Sequence, residues 1–440
     1  MKLNVKFRTR FIRRVIFLGS MVMIFTLFQN QTVSAQGRGR RGMTQPQIQD
    51  GKFLVSVEQP VNGSIKVDPP LPEDGRVNAG TEIIITAIPA EGYSVDSCYY
   101  FNAAPGRFGR MNVESMTSDF KITIDQNKTI GASFIESKAL EGFKVIQDVV
   151  YAQPGVKKLR YDVFSPNNAK NLPCIVIIHG GGWSANNEDI MRGQARELVR
   201  SGDYVVCSID YRWIGNLDGD EKPNTMANLI EDMYGALAHI QEHAGEYGAD
   251  PARIAVTGDS AGGHLSAAAI NMVNMIGDGG FGIKEGVFQY KPTYMPKDKT
   301  VDQVRLELTN AIKAVAPSYG VFDSGSLRSF AGNNPESWLE AVSPIDNIPN
   351  IKNRAVPQYL LRGTRDSLIR NEAVQAYADA LKAAGQRVEY VQVEGAGHAF
   401  FDWKPDAATK STFAKYGVPY AAKMKEFFDT VFYPKSLQQN

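Results

Sequence analysis

The chain has 440 residues, 43% hydrophobic and 22% charged, which excludes a largely disordered or fibrous protein and suggests two or three domains. The formal net charge of +1 hides an uneven distribution: residues 1–35 hold six of the 48 bases and none of the 47 acids, leaving 42 bases against 47 acids. From residue 42 onward the count is 39 against 47, and so mildly acidic a body offers no basic footprint for nucleic acid.

Met1–Arg14 is basic, Val15–Phe28 is apolar, and Val33-Ser34-Ala35 supplies small residues at a cleavage position. This layout predicts a signal peptide over residues 1–35 and an exported protein, periplasmic or secreted. The apolar run is 14 residues, short of the roughly 20 that span a bilayer. No Cys follows the signal and no later segment is apolar enough to span, so no stable membrane anchor is expected after cleavage. Residues 36–50 are rich in Gly, Arg and Gln and read as a flexible leader.

Residues 51–136 carry short β-rich runs at Lys52–Val57, Ser64–Val67, Glu82–Ile88, Lys121–Ile124 and Ile130–Phe134. Turn residues such as Val61-Asn62-Gly63 and Pro72–Gly75 separate them, and helical periodicity is absent. A small all-β domain is predicted. Gly80-Thr81, Ala90–Tyr93 and the closing Ile130–Phe134 give it a resemblance to the secreted repeats related to the internalin B-repeat. That resemblance implies a surface-binding module or a spacer. Tyr93, Tyr99, Tyr100 and Phe101 could stack on a sugar or fill the core.

From Phe143 to residue 434 strands alternate with helices. Strands are predicted at Leu172–Ile178, Tyr204–Ile209, Arg253–Thr257, Gln358–Arg362 and Glu389–Glu394. Helices are predicted at Asp189–Ser201, Met226–Tyr247, His264–Met275, Glu372–Ala384 and Tyr420–Val431. This is an α/β pattern: a mostly parallel sheet with helices on both faces. Gly277–Asp302 reads as a surface excursion near the active-site mouth. Three Cys, at 98, 174 and 207, are too few for a disulfide framework. Cys174 and Cys207 fall in buried strands, where either free thiols or one bridge would fit.

Gly258-Asp259-Ser260-Ala261-Gly262 fits G-x-S-x-G between a strand and a helix, the context of a nucleophile elbow. His179-Gly180-Gly181-Gly182-Trp183 follows another strand and leaves backbone N–H groups free to receive an oxyanion. Gly181, Gly182 and the N–H of Ala261 are the candidate donors, with the choice between glycines open. The dinucleotide spacing G-x-G-x-x-G is missing. A serine nucleophile needs an imidazole, and only five His exist. His179 belongs to the glycine loop, His264 lies one helical turn past Ser260, and His239 and His243 share a helix surface without a third metal ligand. His398, in the Gly-rich loop after a strand, remains. Asp366 is the acid that orients it, giving the order Ser, Asp, His. Asp402, on the same loop as His398, and Asp346 are the rival acids.

With these residues in place, the chain resembles α/β-hydrolase esterases of the hormone-sensitive-lipase and carboxylesterase-like group. Within it the similarity is to secreted bacterial acetyl-xylan or feruloyl esterase-like enzymes. HGGGW at 179–183, Asp210-Tyr211-Arg212, Asp250–Ile254, GDSAGG at 258–263, Gly363–Asp366 and Gly397-His398 carry it. Arg362 replaces the usual His before the acid loop, and Trp213–Glu221 lacks the usual Pro-rich segment. The resemblance implies an α/β-hydrolase fold and a serine ester hydrolase that needs no cofactor or metal. Its expected substrate is an acyl ester, including acetyl or feruloyl groups on plant polysaccharide. The rival readings are a serine peptidase of the same fold and a non-catalytic binding protein that retains it. Peptidases of this fold carry a large upstream propeller, which about 85 residues cannot form; the binding reading needs a lost triad residue. The sequence carries no signal for an oligomeric state.

Overall fold

In the computed structural model, the described residues are 51–102, 112–116, 119–219, 221–332 and 334–434. The signal and leader readings over 1–35 and 36–50 lie outside them.

The first region forms two small sheets. Its strands are β1 (Lys52–Val57), β2 (Gly63–Asp68), β3 (Arg76–Asn78), β4 (Glu82–Pro89), β5 (Tyr93–Phe101), β6 (Asn112–Ser115), β7 (Asp119–Thr123) and β8 (Lys128–Glu136). One sheet has the order β3-β1-β8-β5-β6 and the other β2-β4-β7. Strand β4 alternates, with Ile83, Ile85 and Ala87 buried and Ile84 and Ile88 exposed, so one face covers a shared core with Val55, Cys98, Ile122 and Ile130. Tyr99 is buried and Tyr100 stacks on Phe120 at 5.9 Å, which places both rings in or against the module's packed interior.

The second region adds β9 (Phe143–Ala152), β10 (Leu159–Pro166), β11 (Leu172–Ile178), β12 (Val205–Ile209), β13 (Ala249–Asp259), β14 (Ile312–Ser318), β15 (Gln358–Gly363) and β16 (Val388–Val393). They form one sheet in the order β16-β15-β14-β13-β11-β12-β10-β9, parallel from β12 through β16 and antiparallel at β10 and β9. The helices are α1 (Arg192–Val199), α2 (Met226–His243), α3 (Ala261–Asn271), α4 (Val301–Ala311), α5 (Ser324–Ala331), α6 (Glu336–Ala341), α7 (Asn371–Ala383), α8 (Ala407–Thr412) and α9 (Val418–Phe432).

Strand β11 shows why the sheet is covered twice. Cys174, Val176 and Ile178 enter one core with α2 and α3, while Ile175 and Ile177 enter another with α1 and α9. Each such aliphatic side chain, once buried, contributes about 1.5–3 kcal/mol. The sulfurs of Cys174 and Cys207, on neighbouring strands, are 3.8 Å apart as free thiols. No helix among the described residues is long and apolar enough to cross a membrane.

Several strands escape the sequence reading. Strand β5 is interrupted by a bulge between Val95 and Ser97, which breaks its alternation. Strand β14 follows α4 without an intervening residue, so no turn signal marks its start. The Gly277–Asp302 segment is not a surface excursion throughout. Tyr290 is fully buried, its hydroxyl donates to the Ala341 carbonyl at 2.6 Å, and bridges at Ile276–Tyr290 and Phe281–Phe288 fold the segment back on itself.

Candidate active site

Four parallel strands, β11, β13, β15 and β16, deliver the site at their C-terminal ends, where open α/β sheets place ligands. Strand β13 ends at Asp259 and α3 begins at Ala261, so Ser260 occupies the whole turn alone. Its φ of 52° and ψ of −113° lie outside the ordinary regions for an L-residue. Such strain costs about 1–3 kcal/mol and persists only when the surroundings impose it. They do so through backbone contact. A Cβ on Gly262 would lie 1.9 Å from the Ile178 carbonyl oxygen, and one on Gly258 would lie 2.4 Å from the Gly262 oxygen. The Ser260 N–H donates to the Ser318 carbonyl at 2.9 Å, fixing the turn to β14.

The Ser260 hydroxyl is 2.9 Å from His398 Nε2. His398 Nδ1 is 2.8 Å from Asp366 Oδ2. The other Asp366 oxygen accepts the N–H groups of Leu368 and Ile369, each at 2.9 Å. Burial pushes the Asp366 carboxyl up, but the hydrogen bond and charge of His398 outweigh it and hold the group below the usual carboxylate range. Arg362, noted in sequence as a departure from the family pattern, wraps this acid loop. Its Nε donates to the Ile369 carbonyl at 2.7 Å and its Nη2 to the Asp366 carbonyl at 2.9 Å. The rival acids sit elsewhere: Asp402 pairs with Lys404 at 3.0 Å, and Asp346 lies in the turn Ile345–Asn347.

The other four histidines are engaged outside this chain of bonds. His264 is fully buried between the Trp183 indole and the Val342 carbonyl, and burial pushes it down to about 4, so it stays neutral. His239 faces the Tyr161 hydroxyl at 2.9 Å, and burial pushes it down to about 4 as well. His243 pairs with Glu246 at 2.8 Å. His179 braces the glycine loop: its Nε2 meets Asp210 at 3.2 Å, and its ring stacks on Tyr211 at 4.2 Å. Asp210 also receives Lys157 at 2.8 Å.

Within that loop the Gly180 N–H is taken, donating to Asp259 Oδ1 at 2.6 Å. Gly181 and Gly182 have φ of 119° and 61°, and a Cβ on Gly181 would strike the Ala185 carbonyl. Among the described residues no hydrogen bond is donated by the N–H of Gly181 or Gly182. Ala261 is the first residue of α3, where a backbone N–H has no intrahelical acceptor. Among the described residues, no group of three or more His, Cys, Asp or Glu is arranged to hold a metal ion.

Two residues beside the site escape the sequence reading. Asp259 is fully buried under the Gly180 N–H and bonded to the Tyr319 hydroxyl. Burial first, and then the charge of Asp402, push it up to about 7. Tyr319 lies with its ring 4.9 Å from that of His398, and its hydroxyl accepts the Phe401 N–H at 3.2 Å. Its φ of 37° marks it as constrained. Tyr319 follows β14, a strand invisible in the sequence pattern, so no motif announced it.

The chain is similar to several known proteins. A divergent InlB B-repeat domain matches residues 53–138. The esterase LipQ of Mycobacterium tuberculosis is 28% identical over 278 residues, covering 58% of this chain and 56% of that protein. The carboxylic ester hydrolase LipN of the same organism is 27% identical over 362 residues, covering 78% of this chain and 85% of that protein. The chain thus spans about half the length of the first of these relatives and most of the second. Among solved structures, Thermogutta terrifontis esterase 2 phosphorylated by paraoxon is 25% identical, covers 67% of this chain and 97% of that one, and superposes with a TM-score of 0.47. The α/β-hydrolase fold family matches residues 175–402, more than half of the 440, and the chain belongs to that family.

Proposed function

We propose that the protein is an exported serine carboxylic-ester hydrolase. The observation that carries this reading is the unbroken pair of hydrogen bonds from Asp366 through His398 to Ser260, at 2.8 and 2.9 Å. Ser260 Oγ attacks the acyl carbonyl while His398 Nε2 takes its proton. Asp366 fixes the ring so that Nδ1 carries hydrogen and Nε2 can act as the base. The N–H groups of Gly181, Gly182 and Ala261 receive the oxyanion of the tetrahedral intermediate. His398 then returns the proton to the leaving alcohol. Water, activated by the same imidazole, releases the acid from the acyl-enzyme. Relatives named as esterases and carboxylic ester hydrolases support this choice over peptide hydrolysis.

Export rests on the amino-terminal pattern of residues 1–35. For the substrate we propose acetyl or feruloyl esters on plant polysaccharide, a target that an exported enzyme with a small β module would meet. The test is a panel of p-nitrophenyl acyl esters and acetylated or feruloylated oligosaccharides, with Ser260→Ala as control. The expected result is ester turnover that falls by about 10⁴-fold or more in Ser260→Ala. Turnover of peptides alone, or activity surviving in that variant, would overturn the reading.

A further inference from the structure

We propose that Asp96, a residue of the N-terminal β module, acts as a positioning residue for the loop that carries His398. The inference rests on the proposed roles of Ser260 and His398.

It begins with the irregularity in β5. Val95 pairs with Phe134 and Ser97 with Ser133, so Asp96 is the extra residue of a bulge. A bulge re-aims a side chain that regular pleating would hold in place. Here it sends a carboxylate out of the module and into the α/β body, where Asp96 has no solvent exposure. Both its oxygens are engaged there. Arg192 grips it with two parallel bonds, Nε to Oδ1 at 3.1 Å and Nη2 to Oδ2 at 3.2 Å. Arg196 adds Nη1 to Oδ1 at 2.6 Å. Lys410 stands 3.6 Å from Oδ2 and bonds the module's Ser133 at 2.6 Å. Paired guanidinium–carboxylate forks are the strong and directional kind of ion pair.

The fourth partner links this cluster to the site. The Trp403 indole N–H donates to Asp96 Oδ2 at 2.9 Å. Trp403 lies five positions past His398 on the same loop, ahead of α8. Its backbone N–H donates to the Ile190 carbonyl at 3.0 Å, and its ring packs so closely on α1 that a Cβ on Gly193 would lie 2.9 Å from it. Arg192 and Arg196 stand on that same helix, which follows the glycine loop in the chain. One module carboxylate therefore ties the segment after the oxyanion loop to the segment after the catalytic histidine.

A module serving only as a tether would meet the body through wet, exchangeable contacts, as linked domains commonly do. A wholly buried carboxylate between two buried arginines is different, because removing it strands their charges. Met116, from the module's β6–β7 connection, joins the same buried cluster as Phe400, Phe401 and Phe413, so apolar packing closes the same junction.

The test uses the full chain with Asp96→Ala, Trp403→Phe and, as a control for lost stability, Ile130→Ala in the module's own core. Kinetics on p-nitrophenyl acetate are read on folded protein, well below each melting transition. Asp96→Ala and Trp403→Phe should lower kcat by roughly 10- to 100-fold with KM within about twofold, the scale on which small misplacements slow enzymes. Ile130→Ala should melt earlier but keep kcat. If Asp96→Ala fails to fold, Trp403→Phe, which keeps an aromatic ring and loses only the N–H and the smaller part of the packing, carries the test alone. Wild-type kcat in folded Trp403→Phe, or a fall in kcat for Ile130→Ala that tracks its loss of stability, overturns the positioning role. Either result, with Ser260→Ala inactive, leaves the proposed function standing; activity in Ser260→Ala overturns that function instead.

Discussion

Around Ser260 backbone packs on backbone, whereas around His398 the supporting contacts come from side chains far away in the chain. The serine turn is bounded by the carbonyls of Ile178 and Gly262 and by the Ser318 carbonyl that takes its N–H. The histidine is approached by Asp366, by the ring of Tyr319, and through Trp403 by the module. The first arrangement tolerates no added atom. The second depends on particular functional groups and leaves parts of its own loop loosely packed. Substitutions at the two places should therefore fail in different ways.

The largest effect is expected at the turn. Gly262→Ala puts a methyl group 1.9 Å from one carbonyl oxygen and 2.8 Å from that of His179, and neither backbone segment can move without shifting β11. Overpacking commonly costs 1–3 kcal/mol, and a clash against backbone should exceed about 3 kcal/mol. Denaturant unfolding would read this as a large drop in midpoint. An unchanged midpoint would mean the turn has slack that these distances deny.

On the histidine side, Asp366→Asn should leave the fold nearly intact, since an amide oxygen can still accept the Leu368 and Ile369 N–H groups. It should lower kcat by about 10⁴-fold, because the imidazole is then held in the wrong tautomer. Steady-state kinetics beside a melting curve separate the two effects. A loss below tenfold would shift the role of acid toward Asp402.

This contrast also explains what the sequence made legible. G-x-S-x-G and HGGGW are steric requirements of a few adjacent residues, so they can be read as text. Asp366 could be reached through chain order and its place after a strand, and His398 through elimination and a Gly-rich loop after a strand. Tyr319, Asp259 and Asp96 act by tertiary contact. Tyr319 follows a strand without a turn signal, Asp259 is the unspecified letter of its motif, and Asp96 reaches its partners only because a bulge displaces it. The parallel sheet is readable from β11, β12 and the second half of β13, whose runs are almost wholly apolar. The strands β9 and β10 were not, because residues such as Gln147, Asp148 and Asp162 interrupt them.

Between the two regions lies Asp259, which joins the glycine loop to Tyr319. Its carboxyl is raised from an ordinary 3.8 to about 7, chiefly by burial, so the folded protein favours the protonated form. The stability it contributes is therefore fully present below about pH 4 and is lost as pH rises through about 7. Asn cannot ionise, so Asp259→Asn should match the wild type near pH 4 and exceed it above pH 7, by at most about 4 kcal/mol. Melting temperatures at pH 5 and 8.5 would show a difference that grows with pH. A constant offset would mean that Asp259 does not titrate in this range.

The smallest effect is expected beside the histidine. Gly397 immediately precedes His398, yet a Cβ built on it meets nothing within 4 Å and its φ is not in the left-handed region. Gly262 stands two residues after Ser260 with no such space. If the histidine loop is held by its distant partners and not by backbone closeness, Gly397→Ala should change stability by no more than about 0.5 kcal/mol. The same variant should keep kcat within about threefold, since Asp366 and Tyr319 continue to fix the ring. Unfolding curves and p-nitrophenyl ester kinetics on the one variant suffice. A loss comparable to that of Gly262→Ala would show that the loop, too, is shaped by backbone contact, and would erase the distinction between the two sides of the site.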